Sequence, residues 1–242
     1  MEEKFPLSLL QAVSDWQRSS NVKRANKLKA ECKDLPAEFR SCLLVCYRQI
    51  ALPKEGVWNL IGEDCMPEKI SSWTLDIEVA KAFKGGVPPE GQGFQGTILY
   101  LYPPPDSIIV NLSKLFRDAD FLAAMEMNQS YITGYHDGAG RYRGGQNEVV
   151  LEIDAVMPED IYSLGGYSSP LKELVAQAAE LVYRRSATDE ERQNLLLDAT
   201  HAGVSAGPSW LNMDATRRVL ARTKPQAEVL HDVKRRQDSG FS

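Results

Sequence analysis

Apolar residues in this chain come in short runs bounded by turn formers, and that spacing limits what it can fold into. Residues 43–46, 98–102 and 149–151 are β-prone runs of three to five residues, far short of the roughly 20 apolar residues that cross a bilayer. Between and around them, apolar residues recur at helical spacing. An α+β protein is therefore expected, not a membrane protein. The N-terminus opens on Glu2 and Glu3 and has no basic stretch leading into an apolar core. No secretory signal is expected, and a cytoplasmic location follows as an expectation. At 242 residues the chain is one large domain, or one domain with an appendage. With 43% hydrophobic and 25% charged residues it can bury a core, which excludes bulk disorder. The net charge of -5 argues against a protein that coats nucleic acid through bulk charge, yet leaves room for a local basic groove.

Residues 7–32 carry Leu7, Leu9, Leu10, Val13, Trp16, Val22, Ala25 and Leu28 at helical spacing, with Ser19-Ser20-Asn21 dividing two helices. Residues 43–52 form a buried strand interrupted by Arg48 and ended by Pro53, and 70–74 form a second strand. Asp76 is the expected N-cap of a helix with Val79, Ala80 and Phe83 on one face, stopped by Gly85 and Gly86. Residues 84–96 are a Gly/Pro/Gln-rich loop, 97–102 a strand and 108–110 a short extended piece. A helix is expected over 112–128 with Leu115, Phe116, Ala119, Leu122, Ala123 and Met127 inward, then a long loop over 133–145. Strands follow at 148–153 and 161–164. Beyond residue 168 the periodicity predicts helices over 171–185, 189–201, 210–223 and 225–237. The division is thus a domain over 1–167 and a helical extension over 168–242, with Leu171, Leu174, Val175, Ala178 and Leu181 packed against the first.

Cys32, Cys42, Cys46 and Cys65 include no pair at zinc-knuckle spacing, and His136, His201 and His231 are scattered. Buried reduced thiols and no metal are expected. The glycine-rich segments match neither a P-loop nor a dinucleotide fingerprint.

Three polar residues in three strand-like segments stand out. Arg48 sits in Cys46-Tyr47-Arg48. Ser72 sits in Ile70-Ser71-Ser72-Trp73-Thr74, leading into Glu78-Val79-Ala80-Lys81-Ala82-Phe83. Glu148 sits in Gln146-Asn147-Glu148-Val149-Val150-Leu151. Taken singly, each has a plain structural reading: an Arg paired with a buried carboxylate, a strand-edge Ser, a solvent-facing Glu with Glu152 on the same face.

Together, in this order and at these separations, they resemble the R-S-E class of mono-ADP-ribosyltransferases over about residues 40–165. The resemblance implies an ADP-ribosyltransferase-like split β-sandwich with N-terminal helices and a C-terminal helical extension. It implies NAD as co-substrate and no metal. Arg48 would hold phosphate oxygens with its planar fork. Glu148 would stabilise the positive charge that develops on the ribose as nicotinamide leaves. Ser72 would hydrogen-bond and orient Glu148 or the nicotinamide ribose, with Thr74 in support. The usual Ser-Thr-Ser is here Ser72-Trp73-Thr74, and strand alternation sends Trp73 away from Ser72.

Gln146 stands where arginine-modifying members carry a Glu, and a Gln cannot act as a general base. The acceptor implied is an Asn, Thr or Gln side chain or a nucleobase of RNA or DNA, not arginine. The family's acceptor loop corresponds to residues 135–145, where Tyr142 would touch the acceptor and Arg141 and Arg143 would accommodate a phosphate. Phe94 would stack on nicotinamide, and Lys84 would reach a phosphate. The C-terminal Arg217, Arg218, Arg222, Lys224, Lys234, Arg235 and Arg236 read either as a surface for nucleic acid or an acidic partner or as a solvated helix face, and the interleaved Asp214, Glu228 and Asp232 favour the second. The expected function is a bacterial or phage toxin or effector. Its partners would be NAD, a protein or nucleic-acid acceptor, and an antitoxin or inhibitor protein. The alternative is a non-catalytic NAD- or protein-binding module of the same fold.

Overall fold

The computed structural model describes residues 4–62, 65–89, 91–167, 171–201 and 208–239. Two helices open it, α1 (Leu7–Arg18) and α2 (Val22–Glu31). The chain breaks between them as the sequence predicts, and Asn21 caps α2 by accepting from the Arg24 N–H at 3.0 Å. Next come β1 (Cys46–Pro53), α3 (Lys54–Gly62), β2 (Met66–Pro67), β3 (Ile70–Thr74) and α4 (Ile77–Ala82). Asp76 caps α4 as expected, accepting from the Glu78 N–H at 2.9 Å. Then follow β4 (Phe94–Leu101), β5 (Ile108–Asn111), α5 (Leu112–Leu115), α6 (Ala119–Met127), α7 (Ala139–Tyr142), β6 (Glu148–Glu152), β7 (Ala155–Val156) and β8 (Ile161–Tyr167). The chain ends in α8 (Leu171–Tyr183), α9 (Asp189–His201), β9 (Pro208–Trp210) and α10 (Met213–Ser239).

The fold is mixed α/β around a large antiparallel sheet of order β5-β6-β3-β1-β4-β8-β9, with β2 and β7 paired separately. β1 lies against β4 over eight registered pairs. It meets β3 at one, Tyr47 opposite Thr74. The sheet is thus nearly divided into β5-β6-β3 and β1-β4-β8-β9. Two apolar clusters follow from strand alternation. Val150 belongs with the core of α1, α2 and α6, while Val149, Leu151 and Trp73 belong with the cluster that holds Cys46, Leu60, Leu99 and Ile161. Trp73 turns away from Ser72 as expected.

Several expectations are corrected. β1 begins at Cys46, because Leu43 is 93% exposed and Leu44 is also exposed. Residues 94–96 belong to β4, where Gly96 leaves room for Trp210 and Pro88. The helix predicted over 112–128 is two. The first ends at Leu115, and Asp118 caps the second by accepting from the Phe121 N–H at 2.8 Å. That break resets the helical phase, so Phe121, Ala124 and Met125 are buried while Leu122 and Met127 are exposed. Residues 133–145 do not form an open loop but fold into tight helical turns held on α1.

The region after 168 contributes a strand as well as helices. Trp210 lies in β9, which pairs with β8. Residues 213–239 form one helix through Pro225. The Thr223 hydroxyl donates to the Val219 and Leu220 carbonyls at 2.9 and 3.2 Å in the turn before it. α10 packs across α3, where a Cβ at Gly62 would lie 2.9 Å from the Ala227 carbonyl oxygen. In α8 the inward residues are Val175 and Ala179, with Leu174 half-buried, whereas Ala178 and Leu181 are exposed. The Leu171 and Lys234 side chains lie outside those described. Arg217, Arg218, Arg222, Arg235 and Arg236 occupy exposed positions of α10.

Cys32, Cys42 and Cys46 are buried and Cys65 half-buried, all as thiols. Burial pushes the Cys32 thiol up to about 12. Among the described residues no helix is long and apolar enough to cross a membrane. Among them, too, no group of three or more His, Cys, Asp or Glu side chains could hold a metal ion.

Candidate functional site

β6 and β3 place their polar side chains by register. Thr74 lies opposite Glu148 and Ser72 opposite Val150. Alternation puts Ser72, Thr74 and Glu148 on the sheet face that carries Ile70 and Val150, the face covered by the α1 core. Glu148 is consequently only 4% exposed. Its carboxylate is satisfied from two elements. The Ser72 hydroxyl donates to Oε1 in a very short hydrogen bond. The Trp16 indole N–H donates to the same oxygen at 2.9 Å and reaches Ser72 Oγ at 3.1 Å. The Gln17 amide donates to Oε2 at 3.4 Å. Burial holds the Glu148 carboxyl above the usual carboxylate range, and the hydrogen bonds from Ser72, Trp16 and Gln17 pull it back down. Glu152, on the same strand face, instead meets Lys29 of α2 at 2.5 Å in an exposed ion pair.

Arg48 shares its strand face with Cys46, Ile50 and Leu52. Its Nη1 donates to the Ser72 carbonyl at 3.2 Å. Its Nε lies 3.8 Å from Glu68 Oε2 and, though buried, makes no hydrogen bond. Burial works against the guanidinium charge, and Glu68 offsets it. The pairing of Arg48 with a half-buried carboxylate is the plain structural reading of that residue, and it is present. Arg48 nonetheless lines the cleft.

That cleft has a volume of about 1010 Å³. Arg48, Ser72, Thr74 and Glu148 line it, and so do Phe94, Tyr142, Gln146 and Lys84. Phe94 is half exposed at the start of β4. The Thr74 hydroxyl is engaged within the protein: it donates to the Gln146 carbonyl at 2.7 Å and accepts from the Asp76 N–H at 3.1 Å. It splints Gln146 to β3. Strand alternation does not bring Gln146 beside Glu148, because β6 begins at Glu148 and Asn147 has a φ of 46°. That left-handed residue and the Thr74 splint bring Gln146 to the cleft wall. Arg141 and Arg143 are exposed and do not line the cleft. Arg141 instead lies over the Tyr142 ring at 5.5 Å, and Arg143 ends α7 in a left-handed turn.

Trp16, Gln17 and Glu68 belong to the site but are not singled out by the sequence motifs. Trp16 reads there as one more apolar residue of the α1 stripe. A signal did exist: a buried indole needs a partner for its N–H, and none of its helical neighbours offers one. Glu68 carries no local signal. The cleft therefore offers a guanidinium, a buried carboxylate and several aromatic rings, Phe83, Phe94 and Tyr142 among them. That set suits a ligand with an anionic part and a centre that gains positive charge. No protein-family model, curated protein or solved structure matches the chain.

Proposed function

We propose that this protein is a mono-ADP-ribosyltransferase that moves ADP-ribose from NAD to a non-arginine acceptor and acts as a toxin or effector on a macromolecule. The observation that carries the reading is the buried Glu148 carboxylate, held by Ser72 from the adjacent strand in a cleft that Arg48 and Phe94 also line. In this reading Arg48 binds phosphate oxygens and Phe94 packs on nicotinamide. As the bond from ribose C1′ to nicotinamide breaks, nicotinamide leaves with the electron pair and the Glu148 carboxylate faces the positive charge on the ribose. The acceptor nucleophile then bonds to C1′ and releases one proton to solvent. Gln146 offers an amide beside that point and takes no proton. Tyr142 lies where an acceptor ring or chain can stack. Arg141 and Arg143, outside the cleft, meet a phosphate only on an acceptor large enough to reach the surface.

The Arg48–Glu68 pair favours a second reading, a non-catalytic binding module of the same fold, in which Arg48 is structural. One experiment separates the two. Purified protein is incubated with NAD labelled in its adenylate and with cell lysate, and parallel samples are treated with protease or nuclease. Transfer by wild type and none by Glu148→Gln is the expected result, and the sensitive enzyme names the acceptor class. Wild type indistinguishable from Glu148→Gln sinks the transferase reading.

A further inference from the structure

We infer that Trp16 is a positioning residue of the site, whose indole N–H commits Glu148 Oε1 together with Ser72 and so leaves Oε2 as the oxygen that faces the substrate. The inference rests on the transferase reading for what Oε2 does, and on geometry alone for how it is singled out.

Glu148's donors differ in how firmly they are held. The Ser72 hydroxyl rotates about its Cβ–Oγ bond and accepts from Trp16 while donating to Glu148. The Gln17 amide bond is long, at 3.4 Å, and its own Oε1 is buried without a partner. The Trp16 ring is fixed. It is buried in the core with Leu9, Leu10 and Val13 of the same helix. Core packing thus sets the direction of its N–H before any ligand arrives. The two shorter hydrogen bonds, the fixed one from Trp16 and the rotatable one from Ser72, converge on Oε1, and the long bond falls on Oε2 from Gln17, a residue of the cleft wall. A substrate hydroxyl replaces a long amide bond with little loss, whereas replacing Trp16 would require α1 to leave the core.

The groups facing the carboxylate are Trp16 and Gln17 from α1 and Ser72 from β3, all neutral; from β1, Arg48 reaches the Ser72 carbonyl. Removing the indole donor therefore takes stabilisation from the charged carboxylate with no charged neighbour to compensate.

Trp16→Phe keeps an aromatic ring on the α1 core face but deletes the pyrrole part of the indole with its N–H, so a loss of stability alone does not count for the inference and the kinetic and pH readouts decide it. NAD cleavage is expected to fall about a hundredfold in kcat while KM for NAD changes less than about twofold. The acid limb of the pH–rate profile should move to higher pH. A rate equal to wild type, or a lower rate with the acid limb unmoved, overturns the inference. A second measurement needs neither the variant nor NAD. In ¹⁵N-labelled wild type the Trp16 indole resonance should titrate with Glu148 and become flat in Glu148→Gln, and a flat wild-type resonance overturns the inference. If wild type cleaves no NAD, the transferase reading fails, while the indole titration still decides the contact.

Discussion

α1 and α9 are helices of 12 and 13 residues, and they do opposite things. α1 buries Leu9, Leu10, Ala12, Val13, Ser14 and Trp16, while α9 buries none of its residues. The sequence shows why. In α1 the apolar residues recur three and four apart, as one stripe. In α9 Leu195, Leu196 and Leu197 are consecutive and spread around the helix. The polar groups differ too. Those of α9 bond locally, as in Asp189 with Arg192 and the Thr200 hydroxyl with the Leu196 carbonyl. Those of α1, the Asp15–Arg18 pair apart, cross to distant chain. Trp16 and Gln17 hold Glu148, and Gln11 exchanges hydrogen bonds of 3.1 and 2.8 Å with Thr133. Ser14 accepts from the Ala139 N–H at 3.4 Å. One helix thus holds both the buried carboxylate and the segment that carries Tyr142.

The contrast can be broken at several points. The largest expected effect is at the group α1 supports: Glu148→Gln should lower NAD cleavage by roughly a thousandfold or more, measured as nicotinamide release. Leu10→Ala, in the α1 stripe and fully buried, should cost about 3 kcal/mol in denaturant unfolding. Gly138→Ala comes next. A Cβ there would press on the Ser14 carbonyl and lie 2.6 Å from its hydroxyl. The variant should lose about 2 kcal/mol and show faster amide exchange over residues 133–145.

A smaller effect concerns pH. Burial raises the Glu148 pKa in the folded state above its ordinary 4.5, so the folded protein binds more protons than the unfolded chain between those two values. Stability from this group falls as pH rises through that window. Glu148→Gln should therefore be more thermostable than wild type above the raised pKa, and the gain should vanish below about pH 4. A constant gain at every pH would remove the ionisation as its cause. The smallest effect belongs to α9: Leu197→Ala, at a half-exposed site, should change stability by less than about 0.5 kcal/mol. Equal losses at Leu10 and Leu197 would erase the distinction between the two helices.

Much of the scaffold was legible because its causes are local. Asn21 and Asp76 cap helices through N–H groups two or three residues away. Strand alternation separates Ser72 from Trp73 whatever surrounds them. Elsewhere the pattern misled for equally physical reasons. The apolar spacing of 112–128 hides the cap at Asp118. Pro225 suggests two helices where α10 runs through. β9 is three residues long and exists because β8 offers an edge to it.

The residues of the chain by themselves determined that Arg48, Ser72 and Glu148 lie in strands and that Trp16 belongs to an inward helical stripe. Only the tertiary structure decided their company. It seated Trp16 on a carboxylate 132 residues away and paired Arg48 with Glu68. It also left Arg141 and Arg143 outside the cleft. Propensity, capping and alternation act over a few residues and can be read along the chain. The burial of a charge, and the donors that make its burial tolerable, depend on which distant elements pack against it.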